Sequence, residues 1–222
     1  MMSIINIAID GPAGAGKSTI AKEIAKMLKI IYVDTGAMYR AIGLKALRRG
    51  FDPGDAEKIV PMLNDTSVSI EYRDGVQHIV LDGEDVTGFI RTQEVANAAS
   101  VVSTLPAVRE KLVDIQRKLA RNQSTVMDGR DIGTHVLPNT PYKFFVTASA
   151  QVRAERRYLE YERKGILNGR SVKDILQEIL ERDERDSTRA ASPLRPAENA
   201  VVIDTSNMTV EEAVNAVLEG ID

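Results

Sequence analysis

Gly11-Pro12-Ala13-Gly14-Ala15-Gly16-Lys17-Ser18 spells G-x-x-x-x-G-K-[ST], and the residues on either side decide what that spelling means. Before it, Ile4-Ile5-Asn6-Ile7-Ala8-Ile9 is short, apolar and β-branched, and reads as a buried parallel strand. After it, Thr19 to Lys29 places Ile20, Ile24, Met27 and Leu28 at helical spacing, with Lys22, Glu23 and Lys26 between them. Strand, loop, helix is the context in which glycines let backbone N–H groups wrap phosphates and a helix N-terminus favours negative charge. Gly11 to Thr19 is therefore the candidate nucleoside-triphosphate loop, with Lys17 reaching the phosphates and Ser18 ligating Mg²⁺.

Working outward, Ile30-Ile31-Tyr32-Val33 predicts a second strand. A helix follows, capped by Thr35, with Met38, Ile42, Leu44 and Leu47 on one face and a stop at Gly50. Pro53 to Leu63 predicts a short helix. The period then changes to two: Val68, Ile70 and Tyr72 alternate with polar residues, and Asp74-Gly75 and Asp82-Gly83 supply hairpin turns around His78-Ile79-Val80-Leu81. Antiparallel hairpins inside an alternating strand-helix chain predict an insertion at about 64–91. Helices are expected over Thr92 to Ser103 and Pro106 to Arg121, and core strands at Ser124 to Asp128, Tyr142 to Val146 and Ala200 to Asp204. A charged helical stretch, Gln151 to Lys164 and Val172 to Arg185, separates the last two strands. The expected fold is α/β, a five-stranded parallel sheet flanked by helices, in a single domain over 1–222.

Whole-chain properties narrow the function classes. At 222 residues the chain fits one large domain, and 43% hydrophobic with 27% charged residues is ordinary for a globular protein. A net charge of −3 argues against nucleic acid as a partner. No cysteine is present, so disulfides, thiolate metal sites and cysteine nucleophiles are excluded. No apolar run reaches the ~18 residues of a membrane span, and the hydrophobic start leads directly into the phosphate loop. The expectation is a cytoplasmic, monomeric protein with no membrane partner. Arginine outnumbers lysine 18 to 11, and a planar, permanently charged fork suits a protein that grips several anionic groups at once.

A phosphate loop alone is shared by GTPases, helicases, transporter ATPases and small-molecule kinases. The guanine-reading N-K-x-D tetrapeptide is absent and the chain is too short for two motor domains, so small-molecule kinases lead. Four further segments specify the acceptor: Asp34-Thr35-Gly36-Ala37-Met38-Tyr39-Arg40, Ile90 to Ser100 (IRTQEVANAAS), Asp128-Gly129-Arg130-Asp131-Ile132-Gly133-Thr134, and Glu181 to Arg189 (ERDERDSTR).

Together these closely resemble the bacterial cytidylate kinase family, over Ile4 to Leu218 and in the family's motif order. The resemblance implies transfer of the γ-phosphoryl group of ATP to CMP or dCMP, on a P-loop kinase core with a nucleoside-monophosphate-binding insertion and a helical lid at about 151–168. It implies Arg40 and Arg130 as acceptor-phosphate clamps, and Ser100, Arg109, Asp131 and Arg189 as cytosine readers. Tyr39, Arg182 and Asp186 belong near sugar and phosphates, and Thr35 faces the acceptor. Arg153, Arg156 and Arg157 begin the lid segment, Arg153 and Arg157 joining Lys17, Arg130 and Arg182 in the catalytic set. A run of like charges there repels itself until phosphates neutralise it.

The chemistry accounts for these residue types independently. The attacking oxygen belongs to a phosphate already ionised at neutral pH, so positioning and charge neutralisation matter more than a strong base. Both histidines are accordingly read as structural, His78 exposed on a hairpin and His135 just after the Asp128-Gly129-Arg130-Asp131 motif. Cytosine needs an acceptor beside N4 and donors beside N3 and O2, which Asp131 with Arg109 and Arg189 supplies. Without the resemblance, Arg109 reads as a solvated residue on the Pro106 to Arg121 helix and Arg189 as part of a surface ion network with Glu184 and Asp186. Asp128, ending a buried strand, is the candidate second Mg²⁺ ligand, or holds backbone in the turn instead. Competing functions are a P-loop kinase with another acceptor such as UMP, and a nucleotide-dependent binding module. Arginines at 40, 109, 130 and 189 argue against the module, which has no second nucleotide to surround.

Overall fold

The computed structural model describes residues 4–221. In chain order the elements are β1 (Asn6–Asp10), α1 (Lys17–Leu28), β2 (Ile31–Asp34), α2 (Thr35–Arg48), α3 (Ala56–Met62), β3 (Val68–Arg73), β4 (Val76–Leu81) and β5 (Glu84–Asp85). There follow α4 (Gln93–Val102), α5 (Pro106–Asn122), β6 (Thr125–Gly129), β7 (Tyr142–Thr147), α6 (Ala150–Arg163), α7 (Val172–Thr188), β8 (Val201–Asp204) and α8 (Val210–Leu218). The five-stranded sheet runs β2-β6-β1-β7-β8, and β3-β4-β5 form a separate antiparallel sheet, as the change of period anticipates. The chain divides into two compact units, Ile5–Ile31 with the chain from Val126 onward, and Tyr32–Thr125.

In the first of these units β1 lies beside β7, Ile7 opposite Tyr142 and Ile9 opposite Phe144. Ile7, Ile9 and Phe144 are buried, as strands covered on both faces must be. β8 is a strand, as expected, but only Ile203 of it is buried; Val201 and Val202 are exposed because β8 is the last strand of the sheet, with one neighbour instead of two. α8 is an element the sequence reading did not anticipate. Its signal is Thr209-x-x-Glu212, where the Thr209 hydroxyl accepts from Glu212 N and the Glu212 carboxylate accepts from Thr209 N, closing the first turn. The segment after β6 is a π-helical turn at Ile132–Val136, also not anticipated.

In the Tyr32–Thr125 unit, α2, α4 and α5 surround a core built on Met38, Ile42, Ile59 and Leu112. Gly43 of α2 makes the close approach of α4 feasible, since a Cβ there would sit 2.8 Å from Ala99 N. The residue that caps α2 is Asp34 and not Thr35. The Asp34 carboxylate accepts from Ala37 N at 2.9 Å, and Thr35 is the first helical residue, buried. Both hairpin turns lie where expected, with Asp74-Gly75 and Asp82-Gly83 at positive φ throughout. His78 is half-buried instead of exposed, its Nδ1 2.8 Å from Asp85 Oδ2.

Candidate active site

The phosphate loop keeps its shape because its carbonyls are occupied. Lys17 Nζ donates to Pro12 O at 2.7 Å, Arg153 Nη1 to Ala13 O at 3.2 Å, and Thr205 Oγ1 to Ala15 O at 3.1 Å. Carbonyls engaged in this way leave the loop's N–H groups as the polar face offered to an anion. Gly11 is obligatory: its φ is +144° and a Cβ would lie 1.9 Å from Val146 O. Gly14 and Gly16 also take positive φ, and Gly16 O accepts from Thr19 N and Ile20 N as α1 begins. Lys17 is buried, which pushes its ammonium well below the usual lysine range, with the Arg130 charge acting in the same direction. An anionic phosphate supplies the counter-charge this lysine calls for. Ser18 Oγ donates to Asp128 Oδ2 at 2.5 Å, which brings together the two expected Mg²⁺ ligands.

The segment after β6 gathers the next group. Arg130 Nε donates to Asp186 Oδ2 at 2.9 Å, and Arg182 Nε lies 3.9 Å from the same oxygen. Burial pulls the Asp186 carboxyl upward, but the Arg130 and Arg182 charges outweigh it and hold the group below the usual range. Asp131 and Arg189 are both buried, and Arg189 Nη2 lies 3.8 Å from Asp131 Oδ1. Arg189 does act on Asp186, as the ion-network reading has it, but it is buried and not at the surface. One carboxylate that the sequence reading passed over also belongs here: Asp10, at the end of β1, accepts from Ile132 N and Gly133 N, each at 2.7 Å. Its signal was its place one residue before Gly11 at the end of an apolar strand, where a charge is out of character.

α6 carries the arginine run, and the expected repulsion is already relieved inside the protein. Arg153 is buried against Asp183, with Nη2 2.6 Å from Oδ2, and donates to Ala148 O at 2.9 Å as well as to Ala13 O. Arg156 donates to Thr205 O at 2.6 Å, and Arg157 Nε donates to the Tyr161 hydroxyl at 2.6 Å with its guanidinium over the Tyr161 ring. Arg153 thus ties α6 and α7 to the phosphate loop.

The Tyr32–Thr125 unit holds the remaining expected residues. Arg40 Nη1 lies 3.9 Å and Arg91 Nη1 3.2 Å from Asp34 Oδ2, which places two guanidinium groups on one carboxylate. Arg109 is buried, donates to Ser103 O at 3.3 Å and stands over the Tyr39 ring at 5.6 Å from its centroid. It too is not a solvated charge. Ser100 is buried on α4, and Thr35 opens α2. Gln77 clamps the start of α2 from the hairpin, accepting from Asp34 N at 2.8 Å and donating to Asp34 O at 3.2 Å. His135 is exposed. No described helix is long and apolar enough to cross a membrane.

Comparison with known proteins identifies the family of the whole chain. A family model described as cytidylate kinase matches residues 7–222. The cytidylate kinase of Caldicellulosiruptor bescii is 53% identical over 218 residues, covering 98% of this chain and 96% of that one, and the cytidylate kinase of Pediococcus pentosaceus is 50% identical, covering 96% and 93%. Among solved structures, shikimate kinase from Bacteroides thetaiotaomicron superposes with a TM-score of 0.52 at 14% identity over 99% of each chain, which shows the P-loop kinase fold alone. With half its residues identical to curated relatives over nearly its full length, the chain belongs to the cytidylate kinase family and is a phosphotransferase acting on CMP or dCMP.

Proposed function

We propose that ATP donates its γ-phosphoryl group to the 5′-phosphate of CMP or dCMP, giving ADP and CDP or dCDP, with the residues named above in divided roles. The observation that carries this reading is Asp128-Gly129-Arg130-Asp131, four residues that bring a carboxylate to Ser18, a guanidinium to Asp186 and a buried acceptor beside Arg189. The loop from Gly11 to Thr19 binds the ATP phosphates through its N–H groups. Lys17, Arg130 and Arg182 neutralise charge that spreads over the oxygens in transfer, together with Arg157, while Arg153 also holds the loop in shape. Arg40 and Arg130 hold the acceptor phosphate. Thr35, Tyr39, Ser100, Arg109, Asp131, Asp186 and Arg189 take its base and sugar.

No residue needs to remove a proton from the attacking oxygen, which is anionic at neutral pH. A hydroxyl and a carboxylate are hard oxygen donors, so Ser18 directly and Asp128 through water fit Mg²⁺, which supplies charge neutralisation at the ATP phosphates when bound. We assign the insertion to about 64–91 and the lid to about 151–168 of a single kinase domain. A cytoplasmic monomer without a nucleic-acid partner is part of the same reading; the net charge of −3 speaks against a polyanion partner, and the absence of cysteine is compatible with a reducing compartment.

Coupled ADP release with CMP, dCMP, UMP and AMP as acceptors tests the assignment. CMP and dCMP should be used and UMP disfavoured by at least about tenfold, because the Asp131 carboxylate would oppose uracil O4 in a dry site. Asp131→Asn should lose activity on CMP and narrow the CMP-to-UMP ratio of kcat/KM. A ratio left at the wild-type value would mean that Asp131 does not read the base.

A further inference from the structure

The π-helical turn at Ile132–Val136 begins with N–H groups that have no partner within the turn, the situation of every helical N-terminus. The residue standing at the capping position is Asp131, whose short carboxylate is of the type that ordinarily caps its own turn. It makes no such bond here. Those N–H groups are taken instead by Asp10, 122 residues earlier, which accepts from Ile132 N with one carboxylate oxygen and from Gly133 N with the other. Asp131 keeps its backbone role, its carbonyl accepting from His135 N at 2.9 Å and Val136 N at 3.2 Å, while its carboxylate lies toward Arg189. Gly133 lies close to the Asp10 carboxylate: a Cβ there would be in van der Waals contact with Asp10 Oδ2 at 3.4 Å and with the Lys143 stem at 3.3 Å.

We propose that Asp10 is a positioning residue for the acceptor: by capping the turn after β6 in place of Asp131, it sets the Arg130-Asp131 pair in the orientation that binds the nucleoside monophosphate. The inference rests on the reading of Arg130 and Asp131 as acceptor contacts. Asp10 itself is buried, and each of its oxygens faces a backbone N–H of the turn. Burial raises its carboxyl to about 7 in spite of the two N–H donors. Without Asp10, Asp131 is the nearest carboxylate that can cap its own turn, and in capping it would turn away from Arg189.

The test compares Asp10→Asn, Asp10→Ala and Asp131→Asn by steady-state kinetics with CMP and UMP, varying ATP separately. An asparagine places an NH₂ donor against one of the two N–H groups, so Asp10→Asn should raise the KM for CMP by about tenfold and narrow the CMP-to-UMP ratio. The KM for ATP should stay within about twofold, which loss of loop structure would not allow. Asp10→Ala combined with Asp131→Asn should narrow the ratio no further than Asp131→Asn alone, because both act through one carboxylate. If Asp131→Asn changes the ratio and the Asp10 variants do not, the positioning role is overturned while the base-reading role stands. If Asp131→Asn leaves the ratio unchanged, the base-reading role has failed first. Should Asp10→Ala not fold, the near-isosteric Asp10→Asn carries the test alone, and an unchanged KM for CMP with an unchanged CMP-to-UMP ratio in that variant overturns the inference.

Discussion

Lys17 illustrates how a single residue is poised for an anionic partner. Its Nζ rests on the Pro12 carbonyl, and burial together with Arg130 disfavours its charge, so an arriving phosphate replaces a neutral partner with one of opposite charge. Lys17→Ala removes this charge and little apolar contact. It should lower kcat by at least about 10²-fold, the scale seen for groups that stabilise developing charge, with an unchanged circular dichroism spectrum. Near-wild-type turnover in the folded variant would remove Lys17 from the transfer step. Asp186 works in the opposite sense, a carboxylate placed to keep Arg130 and Arg182 side by side despite their like charge.

At the scale of elements, α2 and α4 depend on one missing side chain. The Ala99 backbone lies where a Gly43 Cβ would fall, so Gly43→Ala must push the two helices apart. It should cost about 1–3 kcal/mol, the range for overpacking, read as a lower urea midpoint at unchanged m-value. Because Thr35, Tyr39 and Arg40 belong to α2 and Ser100 to α4, the KM for CMP should rise with it. α6 and the turn after it make a different case. Arg157 and Arg170 flank the Tyr161 ring, with guanidinium carbons 5.4 and 4.7 Å from its centroid, whereas Arg153 is anchored to Asp183 and the phosphate loop. A segment anchored to the phosphate loop at one end, with further arginines gathered on one buried tyrosine, can move as a unit on added phosphate charge. Amide exchange across 151–168 should slow when ATP and CMP are both bound, and exchange that is the same with and without nucleotides would count against a lid.

For the whole molecule, two buried carboxylates give stability opposite pH dependences. Asp10 has its carboxyl raised from 3.8 to about 7, so its contribution is fully present below about pH 4 and is lost as pH rises through 7. Asp186 is held below the usual range, so its contribution is present above pH 4 and is lost only as pH falls through that lower value. The windows do not overlap. Between pH 8 and pH 5 the wild type should therefore gain on the order of 3 kcal/mol relative to Asp10→Asn. Urea midpoints measured for both proteins at the two pH values check this; a constant difference would show that Asp10 does not titrate there. Over the same interval protonation takes an acceptor from the Ile132 and Gly133 N–H groups, so the KM for CMP should rise at pH 5 while stability improves.

What was legible in the sequence was legible for local reasons. The P-loop, the alternation of Val68, Ile70 and Tyr72 and the Asp-Gly turns are each written within a few residues, because strand period, helix period and turn chemistry act at that range. The motif segments carried the family in the same way. Tertiary structure alone decided matters of partnership over long separations: that Asp10 caps a turn 122 residues away, that Arg153 spends itself on Ala13 O and Asp183, that β8 is an edge, and that Arg109 and Arg189 are buried and not solvated. A charged residue's identity states what it can donate or accept, and only the fold brings it the group with which it does so, since burial makes the pairing obligatory and distance along the chain leaves it unwritten.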